Sequence, residues 1–148
     1  MSLITGIAVV SWVMNRCAPV VATPDAVGLG WEHNERIVAG VMYEEYTEAS
    51  IHATIAVESG SVIQRGFLWA MFDYPFRQVG VKKIIVQMSS ANEASENLAR
   101  HLGFTLEARI KDAYLDGDRL IYTMTKDNCK WLGEHHVQEE ISETSSAT

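Results

Sequence analysis

Apolar and polar residues follow regular spacings along most of the chain, and these spacings predict its helices and strands. Ser50–Val57 places apolar and β-branched residues at alternate positions, which is typical of a strand. Residues 62–78 carry large apolar side chains at helical spacing, with an interruption expected at Pro75 and a left-handed Gly80 after the helix. Residues 82–88 form a second β-branched run. This order predicts a right-handed βαβ unit. A ligand for such a unit is expected at the carboxyl ends of the strands, where the helix begins.

The segments before this unit predict one helix and a hairpin. Residues 3–17 are apolar at helical spacing and precede Pro19, which cannot continue a helix. Residues 28–32 and 36–46 are strand-like and flank the polar turn at residues 33–35, which favours an antiparallel hairpin.

The segments after the unit predict a second crossover helix and a final hairpin. Asn92 is a good N-cap for a helix over residues 92–101, and Gly103 is suited to end it. Strands at 105–113 and 119–125 flank Asp116 and Gly117, a strong turn signal. Together the elements predict an α/β (α+β) fold, with flanking helices on a mixed, mostly antiparallel sheet of about six strands.

Length and charge narrow the class of protein. The 148 residues predict one domain over 1–132, followed by an acidic, Ser/Thr-rich and disordered tail over 133–148. The net charge of −7 argues against nucleic-acid binding, which depends on basic patches. The apolar stretch at 3–14 is too short to span a bilayer, so we expect no membrane insertion. Two distant cysteines without metal-ligand spacing are typical of reduced thiols in a cytoplasmic protein.

Three features together resemble the GNAT acetyltransferases, most of all the small proteins of this family in bacteria, phages and prophages. They are the order of elements, the helix that starts Asn92-Glu-Ala-Ser95 and ends Leu102-Gly-Phe104, and the final hairpin around Asp116-Gly-Asp118. The resemblance implies a GNAT fold and transfer of an acetyl group from acetyl-CoA, as co-substrate, to an amine. It leaves the acceptor open, as a small molecule or a protein.

The resemblance also implies where the cofactor lies. The loop before the first crossover helix corresponds to the family's pyrophosphate loop, where backbone N–H groups at a helix start bind phosphate; its residues here are Ile63, Gln64, Arg65 and Gly66. The strand before that loop offers backbone groups to the pantetheine arm, here Ile55, Ala56 and Val57. The Asn92 side chain is placed to hydrogen-bond the cofactor as well as to cap its helix.

Several side chains are candidates for moving protons. Glu58, at the carboxyl end of the strand, is the first candidate for the general base. Glu44 or Glu45, on the neighbouring strand, is an alternative, and Tyr114 and Tyr122 on the last hairpin are candidate acids, with Tyr114 preferred. His52 shares a strand face with Glu58, but it lies about 20 Å away in an extended strand. We therefore interpret it as an ordinary surface or packed histidine.

Two departures from the family pattern support a second interpretation. No second small residue follows two positions after Gly66, and the tyrosine that many relatives place in the second helix corresponds to Ala99. The alternative is therefore a catalytically inactive GNAT-fold module with a binding or structural role, such as a phage component. Three aromatic residues on the first hairpin, Trp31, Tyr43 and Tyr46, suggest a homodimer contact.

Overall fold

The computed structural model describes residues 2–17, 20–58 and 65–133, and these form a seven-stranded sheet flanked by three α-helices. The strands are β1 (Ser2–Thr5), β2 (Val27–His33), β3 (Arg36–Glu44), β4 (Ser50–Val57), β5 (Lys83–Ser89), β6 (Thr105–Tyr114) and β7 (Gly117–Thr125). The helices are α1 (Ile7–Arg16), α2 (Arg65–Asp73) and α3 (Glu93–Leu102). The strand order is β1-β2-β3-β4-β5-β7-β6, antiparallel throughout except between β4 and β5. The predicted mixed fold is confirmed, with seven strands instead of about six.

The extra strand lies at the N-terminus, where the predicted helix over 3–17 is wrong in its first turn. Residues 2–5 pair with β2 as an edge strand, and only residues 7–16 are helical. Gly6 separates the two elements with φ of 114°, a backbone conformation that a side chain would strain. A short, continuously apolar run fits a strand as well as a helix, so periodicity alone cannot separate them.

Helix α1 lies unusually close to the sheet because glycines face it. A Cβ atom on Gly28 would come within 2.8 Å of the Gly6 carbonyl oxygen, and one on Gly30 within 2.9 Å of Val9 Cγ2. A Cβ atom on Gly40 would approach Val13 Cγ2 at 3.0 Å. Glycine within a strand often marks such a close approach.

The crossover helix ends in a π-helical turn at the proline. Helix α2 passes directly into this turn, Tyr74–Val79, which contains Pro75. The carbonyl of Pro75 accepts hydrogen bonds from the amides of Gly80 and Val81, both at 3.0 Å, and Gly80 has φ of 90°. The predicted interruption at Pro75 and the left-handed Gly80 are thus confirmed. The beginning of this helix, expected near Val62, lies outside the described residues.

The two faces of the sheet carry separate cores. Val9, Val10 and Val13 of α1 pack with Met42 and Ala56 on one face. The larger core, on the other face, joins α2 and α3 to the alternate residues of the strands.

Two of the three aromatic residues that suggested a dimer belong to this larger core. Trp31 and Tyr43 are buried, and only Tyr46 is exposed. Trp31 packs against Phe67 at a ring-centroid distance of 6.2 Å, and the Tyr43 hydroxyl donates to the Met71 carbonyl. The expectation that Trp31 and Tyr43 lie on the hairpin surface is therefore wrong, and the homodimer stays a prediction. The acidic tail expected over 133–148 lies outside the described residues beyond Gly133.

Candidate active site

The central feature of the sheet is a fork between β4 and β5. These parallel strands pair only at their beginnings, where Ser50, Ile51 and His52 face Lys83, Ile84 and Ile85. Beyond His52, β4 stays paired with β3 as far as Val57, while β5 stays paired with β7 as far as Ser89. The two strands therefore diverge at the end where a βαβ unit binds its ligand.

Beyond His52, the side of β4 that borders the fork has no strand partner among the described residues. The Glu58 amide donates to the Val38 carbonyl of β3 at 2.8 Å, so Glu58 turns its backbone toward β3. Because backbone groups alternate in direction along a strand, Ala56 also faces β3, whereas Ile55 and Val57 face the fork. The Ile55 carbonyl receives only a weak contact from the Cys17 thiol, at 3.8 Å. An extended, amide-bearing ligand could pair here as an additional strand.

A cavity of about 560 Å³ occupies the fork. Its floor is formed by the diverging halves of β4 and β5, and one wall by α3. The opposite wall is formed by the end of α1, the segment after it and the end of β3, and the β6–β7 hairpin forms the rim. The side chains used below are Glu44, Glu45, His52, Asn92, Ala99, Tyr114, Asp116 and Arg119, which all line this cavity.

The turn between β5 and α3 brings Asn92 to the cavity. The Asn92 side-chain oxygen accepts a hydrogen bond from the Ser95 amide at 3.1 Å, which confirms the predicted N-cap. The preceding Ser90 is held by the β6–β7 hairpin, since its amide donates to the Asp118 carbonyl and its Oγ accepts from the Asp118 amide, both at 2.9 Å. The N-terminus of α3 and the rim of the cavity are therefore one connected structure.

Two carboxylates of the cavity wall, those of Glu44 and Glu45, lie at the end of β3 and just after it. Glu44 is buried, and its Oε2 accepts a hydrogen bond from the Thr23 amide at 2.6 Å. Glu44 lies opposite His52 in the β3–β4 register, so the two side chains share a face of the sheet. One of the two glutamates was expected to face the cleft, and both Glu44, the last residue of β3, and Glu45, just after it, line the cavity.

His52 lies at the point where the fork opens. Its Nε2 is buried and has no hydrogen-bond partner among the described residues. Burial lowers the pKa of His52 from its ordinary value, and so does the positive charge of Arg119, while Glu45 and Glu44 oppose this shift. The imidazole is therefore neutral near pH 7, with the electron pair of one ring nitrogen available to accept a proton.

The two predicted catalytic residues lie in different places. Tyr114 lines the cavity, and the guanidinium carbon of Arg119 lies 5.1 Å from the centre of its ring. Glu58 does not line the cavity, and it forms an ion pair with Arg36 at the start of β3. The structure thus brings Tyr114, but not Glu58, to the side chains around His52.

Part of the predicted cofactor site falls outside the described residues, namely Ile63 and Gln64. Arg65 and Gly66 are the first described residues of α2, where Arg65 is exposed and Gly66 is buried. The phosphate site expected at the amino end of this helix stays a prediction.

The cavity is not filled by the aromatic residues of α2. Phe67 is fully buried in the larger core, and Trp69 packs against that core. Ala99 of α3, where many relatives have tyrosine, is in the cavity wall and leaves room there. An open cleft of this kind counts against a module whose slot has been closed.

Two other kinds of site receive no support from the described part of the chain. No group of three His, Cys, Asp or Glu side chains there could hold a metal ion. No helix over the same residues is long and apolar enough to cross a membrane.

Comparison with known proteins finds likeness in structure only. No protein-family model and no curated protein sequence matches the chain. A chimera of the spermidine N-acetyltransferase SpeG from Vibrio cholerae with hSSAT is 14% identical and covers 90% of this chain and 100% of its own, with a TM-score of 0.70. The F149A mutant of Vibrio cholerae SpeG is also 14% identical, with a TM-score of 0.70 over 91% of this chain and 99% of its own.

A third similar structure is the Campylobacter jejuni N-acetyltransferase PseH, solved in complex with acetyl coenzyme A. It is 13% identical and covers 70% of each chain, with a TM-score of 0.54. At such identities the likeness establishes architecture alone. The chain has the fold of the GNAT acetyltransferases.

Proposed function

We propose that this protein is an N-acetyltransferase that moves the acetyl group of acetyl-CoA to an amine. The observation that carries the proposal is the fork between β4 and β5, whose cavity is open and borders unpaired backbone groups. Similar folds support it, since PseH was solved with acetyl coenzyme A and SpeG is named as a spermidine N-acetyltransferase.

The residues around the fork fit an extended thioester cofactor. The phosphate end belongs at the start of α2, with Arg65 and Gly66, and with Ile63 and Gln64 before them. The amide-bearing arm pairs with the open backbone of Ile55 and Val57. Asn92 offers an amide to the same arm from across the cleft. Acetyl-CoA supplies the activated acyl group, and the protein orients it.

The other side of the fork fits an amine. The cavity is lined by three carboxylates, of Glu44, Glu45 and Asp116, and by two guanidinium groups, of Arg16 and Arg119, and this slight excess of negative charge favours a cationic acceptor. Tyr114 is placed to return a proton to the departing thiolate. Direct transfer in a ternary complex requires only that both substrates reach the fork from opposite sides.

Calorimetry with CoA and acetyl-CoA, followed by a thiol-release assay, tests the proposal. We expect binding at micromolar to millimolar ligand and acetyl-CoA-dependent thiol release with a panel of primary amines that includes spermidine. Mass spectrometry should show an acetylated product. Absence of binding at millimolar acetyl-CoA would contradict the proposal. Binding without transfer to any amine would favour the inactive module.

A further inference from the structure

The position of His52 in the fork is the starting observation. His52 is the last residue of β4 that pairs with β5, so its side chain lies where the two strands begin to part. That side chain lines the cavity, on the face of the sheet that it shares with Glu44. Sequence reasoning set this residue aside because of its distance from Glu58.

The distance between His52 and Glu58 favours His52 as the base once the direction of the bound cofactor is considered. This argument rests on the proposed function. The phosphates belong at the start of α2, whose first described residue, Arg65, follows Glu58 by seven positions in the chain. The arm must then run back along β4 toward the closed end of the fork. Six residues of strand separate Glu58 from His52, about 20 Å at roughly 3.3 Å per residue. The thioester at the far end of the arm therefore comes near His52, and Glu58 stays near the phosphates.

Among the described residues, one ring nitrogen of His52 is left without a hydrogen-bond partner. Nε2 is buried without a partner among the described residues, an arrangement that costs free energy unless a ligand or water completes it. The charged groups that act on the ring are Glu44 and Glu45 at the end of β3 and Arg119 of β7. Arg16 of α1 and Asp116 of the hairpin also line the cavity.

We propose that His52 is the general base of the acetyl transfer. Its Nε2 atom takes a proton from the ammonium group of the acceptor. The resulting neutral amine attacks the thioester carbon, so that an N–C bond forms while the C–S bond breaks and its electron pair goes to sulfur. The second proton lost by nitrogen passes to the thiolate, through Tyr114 or water. The proton on His52 then leaves to solvent, and the products are the acetamide and CoA.

The test compares three substitutions of similar size: His52→Gln, Glu58→Gln and His33→Gln. His33 is an exposed histidine at the end of β2, outside the cavity lining, and serves as the matched control. For each variant, kcat/KM for acetyl transfer to spermidine and to a panel of simple primary amines is measured from pH 5.5 to 9. Calorimetry with CoA shows separately whether the cofactor site is intact.

We expect His52→Gln to lose about 100-fold or more in kcat/KM, the scale of general-base catalysis, while CoA affinity stays within about threefold. Wild-type kcat/KM should decline as the pH drops below the ordinary imidazole range, and His52→Gln should lack this decline. Added imidazole should partly restore the activity of a fourth variant, His52→Ala. His33→Gln should match the wild type.

The outcomes separate this proposal from the proposed function. If the wild type and His52→Gln are both active and share one pH profile, His52 is not the general base, and the proposed transferase function still stands. Loss of activity in Glu58→Gln alone would assign the base to Glu58 instead. Wild type that binds CoA but transfers to none of the amines would overturn both proposals.

Discussion

At the scale of single residues, Asn92 combines a structural task with a predicted ligand contact. Its side-chain oxygen caps α3, while its amide nitrogen is the group that could reach a cofactor. The two tasks use different atoms of one side chain, so substitutions can separate them.

Asn92→Asp and Asn92→Ala make that separation. Asp caps helices about as well as Asn, so Asn92→Asp should keep the wild-type melting temperature, whereas Asn92→Ala should lose about 1 kcal/mol of stability. Both variants lose the amide donor and should bind acetyl-CoA more weakly, by about 5- to 10-fold for one hydrogen bond. Thermal melts and calorimetry measure the two effects. Full affinity in Asn92→Asp would show that Asn92 is a cap alone.

The residues whose roles were predicted correctly from the sequence shape the backbone of their own helix ends. Gly80 and Gly103 both have positive φ at the ends of helical segments, and Asn92 caps α3 within its own first turn. The interpretation of His52 as an ordinary histidine did not anticipate its place in the cavity, because that place depends on groups from β3 and β7 that only the folded sheet brings near it. Its only sequence signal was a titratable side chain on the strand that leads into the predicted phosphate loop.

At the scale of elements, the packing of α1 on the sheet depends on backbone contact. Gly28, Gly30 and Gly40 leave no room for side chains between β2, β3 and the valines of α1. Apolar periodicity predicted most of this helix, but nothing local indicated how closely it approaches the sheet. Nor did periodicity distinguish the edge strand at residues 2–5 from a first helical turn.

A double-mutant cycle tests the close approach. A Cβ atom on Gly30 would meet both methyl groups of Val9, at 2.9 and 3.2 Å, so Gly30→Ala should destabilise the fold by about 1–3 kcal/mol. Adding Val9→Ala removes those methyl groups and should recover part of the loss. Gly28→Ala would instead meet the Gly6 carbonyl, the Val9 Cβ atom and the Val10 amide nitrogen, and Val9→Ala removes none of these three atoms. The double variant Gly28→Ala/Val9→Ala is therefore the control, and denaturant unfolding should show coupling only for Gly30. Equal rescue of both glycine variants would argue against this packing.

At the scale of the whole molecule, the element order was the most predictable property, and the shape of the cleft the least. The fork could be anticipated only through the family resemblance, because strand divergence leaves no periodic signal in either strand. The cavity walls come from segments that are far apart in sequence, with Glu44 and Tyr114 as examples.

The stability of the molecule should respond to mild acid through His52. Its pKa is lower in the folded protein than in the unfolded chain, so the unfolded chain binds more protons between those two values. Stability is therefore present in full above about pH 6.5 and is lost as the pH falls from there through the folded-state pKa. Thermal melts of wild type from pH 7.5 to 5 should show this decline, and His52→Gln should be flatter over the same interval. Parallel curves for the two proteins would show that His52 does not titrate in this way.

The half of β4 that borders the fork has a strand neighbour on one side only, and Ala56 within it rests against Val9, Val10 and Val13 of α1. The width of the opening therefore depends in part on α1, whose buried valines lie outside the cavity although its last turn forms part of the cavity wall. Repacking those valines should alter how tightly a thioester is gripped, even though none of them touches it. Substitutions on this buried side of α1 could thus adjust turnover and leave the reacting groups alone.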